Sequence, residues 1–157
     1  MTATRQTIKG YREHNAHRDW LKPWVKAGQI ELVWFPYDPN SLCPRRTLMP
    51  ACGSAATWKD MNLTWEQPGN MRWDDFTPSD KFQDITAILG SHNHADILHI
   101  DSAYKSACKF FLTCDMGDII RNRERLRELL GISFFHPDDQ IAIEAFFAVC
   151  GLAQPAP

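Results

Sequence analysis

The chain lacks several features that would narrow its function. It has no run approaching the roughly 18 to 20 apolar residues of a membrane-spanning helix, and it opens on no apolar run of signal-peptide length. None of its five cysteines forms a C-x-x-C pair, a common redox and zinc motif. Its formal net charge of -2 gives the chain no overall positive electrostatic potential. The sequence therefore predicts a soluble, cytoplasmic protein with no membrane partner.

Length and composition predict one domain. The 157 residues are 44% hydrophobic and 23% charged, which fits a single compact core over residues 1–157. Residues 36–78 are rich in proline and carry Trp58, Trp65 and Trp73. No regular element is predicted there, but the tryptophans indicate that the segment packs on the body of the domain. We therefore expect a long irregular insertion at about 36–78.

The amino-terminal part is predicted to form one helix and one strand. Residues 7–27 are polar with scattered apolar residues. This pattern indicates a helix that buries one apolar stripe and ends at Gly28. Residues 30–35 form an apolar run rich in β-branched and aromatic side chains, typical of a buried strand.

Helices and strands alternate after Pro78. The pattern predicts helices over about 80–89, 95–107, 119–130 and 137–150, and strands over 109–113 and 132–135. Short apolar strands between helices are what a parallel sheet covered on both faces requires. The expected fold class is α/β, with three α/β/α layers around a mostly parallel central sheet.

Three carboxylates are the candidate metal ligands. Asp115 and Asp118 follow the strand over 109–113, where ligands of an open parallel sheet collect, and Asp96 lies in the first turn of the preceding helix. Crowded carboxylates are best tolerated around a hard cation, which would polarise a phosphodiester and lower the pKa of an attacking water. Turn and cap roles explain all three residues equally simply, and from spacing alone they are the commoner explanation.

The carboxyl-terminal half resembles the PIN-domain ribonucleases. Residues 94–103 (H-A-D-I-L-H-I-D-S-A) are similar to the family's A-D-x-L-H-I-x-x-A helix, and residues 109–115 (K-F-F-L-T-C-D) to its x-x-F-L-T-x-D strand. The helix ending L-L-G-I, the strand after it and the following His-Pro fit the family's closing pattern. The match covers roughly a third of the chain, and it is specific as an ordered set.

The resemblance implies both a fold and an activity. It implies a PIN-like domain acting as a divalent-metal-dependent endoribonuclease, a class that often forms the toxin of a bacterial toxin-antitoxin pair. Asp96 and Asp115 would be catalytic ligands of Mg²⁺ or Mn²⁺, and Asp118 would assist. RNA would be the substrate, and an antitoxin, another protein or a second copy of the chain would be the candidate partner.

The amino-terminal half departs from this family. PIN domains open with a hydrophobic strand that ends in Asp, usually followed by a small polar residue and Asn, and residues 1–9 offer neither the strand nor the acid. The family's Glu after the second strand is also unmatched, although Asp38 or Glu66 could replace it. The alternative function is therefore a degenerate, inactive PIN-like domain that serves as a binding module. A third is an unrelated domain whose Asp115 region binds a phosphate-bearing small molecule.

Arginines provide weaker candidates for contact with nucleic acid. Arg121 and Arg125 lie in a charged helix that is typical of a solvated face with charge pairs. A minority interpretation has them contact the phosphates of RNA, and Arg45 and Arg46 in the insertion have the same ambiguity.

Two groups of histidines have spacings that zinc sites use. They are His14 with His17, and His92 and His94 with His99. Surface positions are the commoner explanation for such histidines, and packing is the expected role of His99.

Overall fold

The computed structural model describes residues 7–13, 15–33 and 78–155. Within these ranges the elements follow in the order β1 (Ile8–Arg12), α1 (Lys22–Lys26), β2 (Ile30–Val33), α2 (Phe82–Leu89), α3 (His94–Lys105), β3 (Phe110–Leu112), α4 (Arg123–Leu130), β4 (Ser133–Phe135) and α5 (Gln140–Val149). Short 3₁₀ turns, Asp19–Leu21 and Ile120–Asn122, precede α1 and α4. Each helix in this part of the chain is too short or too polar to cross a bilayer. The predicted insertion lies outside the described residues except for Pro78.

The strands form one parallel sheet in the order β2-β1-β3-β4. The chain runs outward from β1 to β2 and then returns to place β3 on the other side of β1. Strand order therefore reverses between β1 and β3, the place where an open α/β sheet has its ligand crevice. The predicted α/β class with a parallel sheet is confirmed for the described residues.

The predicted helix over residues 7–27 is wrong. Its first part is β1, which pairs with β2 from Ile8↔Ile30 and with β3 from Gly10↔Phe110. Lys9 and Arg12 give this strand a polar character, so its local sequence lacks the continuous apolar run expected of a central parallel strand. The expectation that the opening strand is absent is wrong for the same reason. Only the end of the predicted helix is helical, as α1.

The remaining predicted elements are confirmed with shorter bounds. The strand over residues 30–35 is present as β2 as far as Val33, and its last two positions lie outside the described residues. The alternating helices and strands after Pro78 are α2 to α5 with β3 and β4. Gly131 ends α4 in the left-handed conformation with φ of 68°, as expected of a glycine that terminates a helix.

Two apolar clusters pack on the sheet. Successive strand residues point to opposite faces, and accordingly Phe111 belongs to one cluster while Phe110 and Leu112 belong to the other. Helices α2, α3 and α4 contribute to the first cluster, and α1 and α5 to the second. This division supports the three-layer arrangement, which stays a prediction.

The closest packing between the two central strands occurs at Gly10. A Cβ placed there would collide with the ring of Phe110, which is fully buried and packs edge-on against Phe147 at 5.3 Å between ring centroids. The ring therefore has no room to retreat.

We predict that Gly10→Ala lowers the free energy of unfolding by roughly 1 to 3 kcal/mol through overpacking. Gly117→Ala is the matched control, because a Cβ there meets only Oδ1 of Asp115, at 3.5 Å. Urea denaturation of both variants checks this, with a change of at most about 0.5 kcal/mol expected for the control. Equal stability of the two variants would contradict the packing of Phe110 on Gly10.

Candidate metal centre

Three aspartates meet at the carboxyl end of the sheet. One ligand atom each from Asp96, Asp115 and Asp118 lies within 4.8 Å of the other two. Asp96 is the third residue of α3, and Asp115 and Asp118 lie in the loop that leaves β3. All three side chains are partly exposed. The structure thus brings together the three residues that the sequence singled out.

The loop after β3 orients the carboxylate of Asp115. Oδ1 of Asp115 accepts the backbone N–H groups of Gly117 at 2.9 Å and Asp118 at 3.1 Å. The backbone carbonyl of Asp115 also accepts the N–H of Ile120 at 3.1 Å. The turn role that the sequence allowed for Asp115 is therefore real. It does not compete with cation binding, because a carboxylate has two oxygens and about four acceptor sites.

Glu13 is a fourth acid beside this cluster, and sequence reasoning missed it. It follows the last residue of β1, and its N–H donates to the carbonyl of Leu112 at 3.1 Å, which continues the pairing of β1 with β3. The hydroxyl of Thr113 donates to Oε2 of Glu13 at 2.6 Å. The same hydroxyl accepts the N–H of Asp115 at 2.9 Å. Thr113 thus connects Glu13 to the loop that carries Asp115.

Burial and mutual repulsion raise the pKa of two of the acids. Burial, helped by the charges of Asp96 and Asp115 and opposed by the Thr113 hydrogen bond, raises the pKa of Glu13 to about 7. Burial also raises the pKa of Asp96 to about 6, with contributions from Asp115 and Asp118. The site therefore disfavours its own ionised state unless a cation neutralises it.

A signal for Glu13 was present in the sequence. An acid, Glu13, directly follows the strand-length run over residues 8–12, where ligands of a parallel sheet collect. The charged residues of β1 concealed this signal. Asp38 and Glu66, the substitutes considered for the family's second acid, lie outside the described residues.

The donor set fits a hard cation. All of the clustered ligand atoms are carboxylate oxygens, which Mg²⁺ and Mn²⁺ prefer over softer donors. Of three oxygens bound to one Mg²⁺ ion, at most one pair can be opposite, at about 4 Å, and adjacent oxygens are about 3 Å apart. The three aspartates, whose ligand atoms lie within 4.8 Å of one another, would therefore have to draw closer to share an ion.

The arginine candidates lie on the surface. Arg121 and Arg125 are exposed, and on the same face Arg127 pairs with Glu124 at 2.7 Å. This is the solvated, charge-paired face that the sequence predicted for α4. Contact with RNA at Arg121 or Arg125 stays a prediction, and Arg45 and Arg46 lie outside the described residues.

The histidines do not assemble into a zinc site within the described residues. His17, His92 and His94 are exposed, and within those ranges none of them joins a group of three or more metal-binding side chains. His99 is buried, 9% exposed, and hydrogen-bonds to Tyr11. His14 lies outside the described residues.

Comparison of the chain with protein-family models, with curated proteins and with solved structures gave no match. Functional inference therefore depends on the motifs in the sequence and on the geometry of the four acids.

The raised pKa of Glu13 makes stability depend on pH. The folded protein keeps this proton up to about pH 7, whereas a carboxyl with the usual pKa of 4.5 has already lost it. Between these values the folded state binds more protons than the unfolded state, so stability falls as pH rises.

We predict that the metal-free protein loses roughly 3 kcal/mol of unfolding free energy across this interval because of Glu13. Glu13→Gln should reduce the dependence of the unfolding free energy on pH. The control Glu128→Gln, at an exposed position, should leave this dependence unchanged. Urea denaturation at several pH values in the presence of a chelator measures this. If the unfolding free energy of Glu13→Gln falls with pH as steeply as that of the wild type, Glu13 is not buried among the other acids.

Proposed function

We propose that the chain is a divalent-metal-dependent endoribonuclease of PIN type. The single observation that carries the proposal is the convergence of Asp96, Asp115 and Asp118 at the strand-order reversal, with Glu13 beside them. Turn and cap roles do not explain why acids from the end of β1, from α3 and from the loop after β3 lie together. Their arrangement has a physical reason if they share a cation.

Asp96, Asp115 and Asp118 would hold Mg²⁺ or Mn²⁺. Such an ion supplies charge that polarises a phosphodiester and lowers the pKa of water. The protein contributes the arrangement of the acids: backbone N–H groups of the loop fix the Asp115 carboxylate, and Thr113 orients Glu13. With a pKa of about 7, Glu13 is also suited to accept a proton near neutral pH.

The degenerate binding module is now the weaker alternative. It depended on the absence of an acid after the first strand, and Glu13 occupies that place. Crowded acids also destabilise the folded protein when no cation is bound, so an idle site would have an electrostatic reason to lose them. The unmatched second acid of the family remains the argument in its favour.

RNA is the proposed substrate, and the cytoplasm is the proposed location. Arg121 and Arg125 follow the Asp118 loop on an exposed surface, which is a suitable position for contacting the backbone of a substrate beside the acids. A toxin-antitoxin role, with an antitoxin as partner or a homodimer, belongs to the same proposal and depends on the family resemblance alone.

The test is a calorimetric titration of Mn²⁺ into the metal-free protein, with cleavage of a mixed RNA pool followed in the same samples. Asp115→Asn should weaken Mn²⁺ binding at least about tenfold and abolish metal-dependent cleavage. This variant keeps an oxygen that can accept the two loop N–H groups, so the loop should still fold. Asp84→Asn, on the exposed face of α2, is the matched control and should behave like the wild type.

Two results would contradict the proposal. One is the absence of binding by the folded wild-type protein up to millimolar Mn²⁺. The other is RNA cleavage that persists in Asp115→Asn, because the cleavage would then arise elsewhere. Mn²⁺ binding without cleavage of any RNA would instead favour the binding module.

A further inference from the structure

A buried polar pair lies directly beneath the four acids. Tyr11 is fully buried in β1, and its hydroxyl hydrogen-bonds to Nδ1 of His99 in α3, which is 9% exposed. The two rings meet edge to face, with 5.6 Å between their centroids and an interplanar angle of 65°. The proposed function assigns no role to this pair.

Each member of the pair lies close in sequence to one of the acids, on the same side of its strand or helix. Tyr11 precedes Glu13 by two residues, so their side chains leave β1 on the same face of the sheet. His99 follows Asp96 by three residues, which places the two on neighbouring positions of one side of α3. The hydrogen bond therefore joins the strand that leads to Glu13 to the helix that carries Asp96.

Tyr11 also contacts the third acid-bearing element. It is the direct partner of Phe111 in the pairing of β1 with β3, and the two rings are stacked with centroids 4.7 Å apart and planes 13° apart. Phe111 lies four residues before Asp115. The ring of Tyr11 thus touches α3 on one side and β3 on the other.

Ordinary core packing gives no reason for polar groups at this position. A buried hydroxyl and a buried imidazole need hydrogen-bond partners, and an apolar pair of the same shape would fill the space without that requirement. A hydrogen bond has a preferred distance and a preferred direction, whereas an apolar contact has a preferred distance but little directionality. A Tyr–His bond can therefore fix the spacing between β1 and α3 more narrowly than two apolar side chains would.

We propose that Tyr11 and His99 are positioning residues that hold α3, and with it Asp96, at the distance from β1 and β3 at which Asp96 can bind a cation together with Asp115 and Asp118. The inference depends on the proposed metal site and goes beyond it, because neither side chain would touch the ion. Groups that hydrogen-bond directly to metal ligands typically change metal affinity by ten- to a hundredfold, and for a pair that acts through α3 and the strands we expect the lower end of that range.

The experiment measures Mn²⁺ affinity by calorimetry and stability by urea denaturation for the same set of variants. Tyr11→Phe keeps the ring stack and removes the hydroxyl, and His99→Leu removes the imidazole. We expect each to weaken Mn²⁺ binding by about tenfold. The double variant should bind Mn²⁺ about as well as His99→Leu alone, because Tyr11→Phe removes only the hydrogen bond that His99→Leu has already broken.

Two further variants separate positioning from packing. His99→Asn keeps a hydrogen-bonding atom near the place of Nδ1 and should recover most of the affinity that His99→Leu loses. Phe134→Leu alters the same apolar cluster from β4, a strand that carries none of the four acids. It should lower stability by roughly 1 kcal/mol and leave Mn²⁺ affinity within about twofold of the wild type.

The outcomes distinguish this inference from the metal site itself. If the wild type binds no Mn²⁺, the proposed metal site is overturned and the inference falls with it. If the wild type binds and Tyr11→Phe binds equally well, only the positioning role is overturned. The positioning role also fails if Phe134→Leu weakens binding as much as Tyr11→Phe, because the effect would then be general loosening of the core.

Discussion

The parallel pairing of β1 with β3 is the interaction on which the rest of the structure depends. It places the two strands on either side of the strand-order reversal, and it continues past their ends through the bond from the N–H of Glu13 to the carbonyl of Leu112. Because of this pairing, Glu13 and the Asp115 loop emerge side by side. The close approach at Gly10 allows it, since a larger residue would push against Phe110.

The same pairing brings together acids whose negative charges repel one another in the folded protein. Burial, together with the charges of the neighbouring acids, raises the pKa of Glu13 and Asp96, so a metal-free site at neutral pH opposes folding. Apolar clusters on the two faces of the sheet and the buried Tyr11–His99 pair pack the strands that lead to these acids. A well-packed core supports a locally unfavourable arrangement of charge, as is common where a protein binds a ligand.

The sequence reveals the carboxyl-terminal half of this arrangement much better than the amino-terminal half. Helix α3 and strand β3 have regular patterns, so Asp96 and Asp115 could be chosen from them. Strand β1 could not be recognised, because Lys9 and Arg12 disrupt its apolar pattern and its stability comes from two neighbouring strands. The bond from Thr113 to Glu13 spans 100 residues, and no local pattern encodes such a contact. Only the pairing of β1 with β3 shows that Glu13 lies beside the other three acids.

Anomalous diffraction from crystals of the protein soaked in Mn²⁺ tests the proposed cation site directly. We predict an anomalous peak about 2.2 Å from carboxylate oxygens of Asp96, Asp115 and Asp118, with the Glu13 carboxylate facing it. A peak at another place on the protein, or none at saturating Mn²⁺ with the four acids ordered, would contradict the claim that these acids form a cation site.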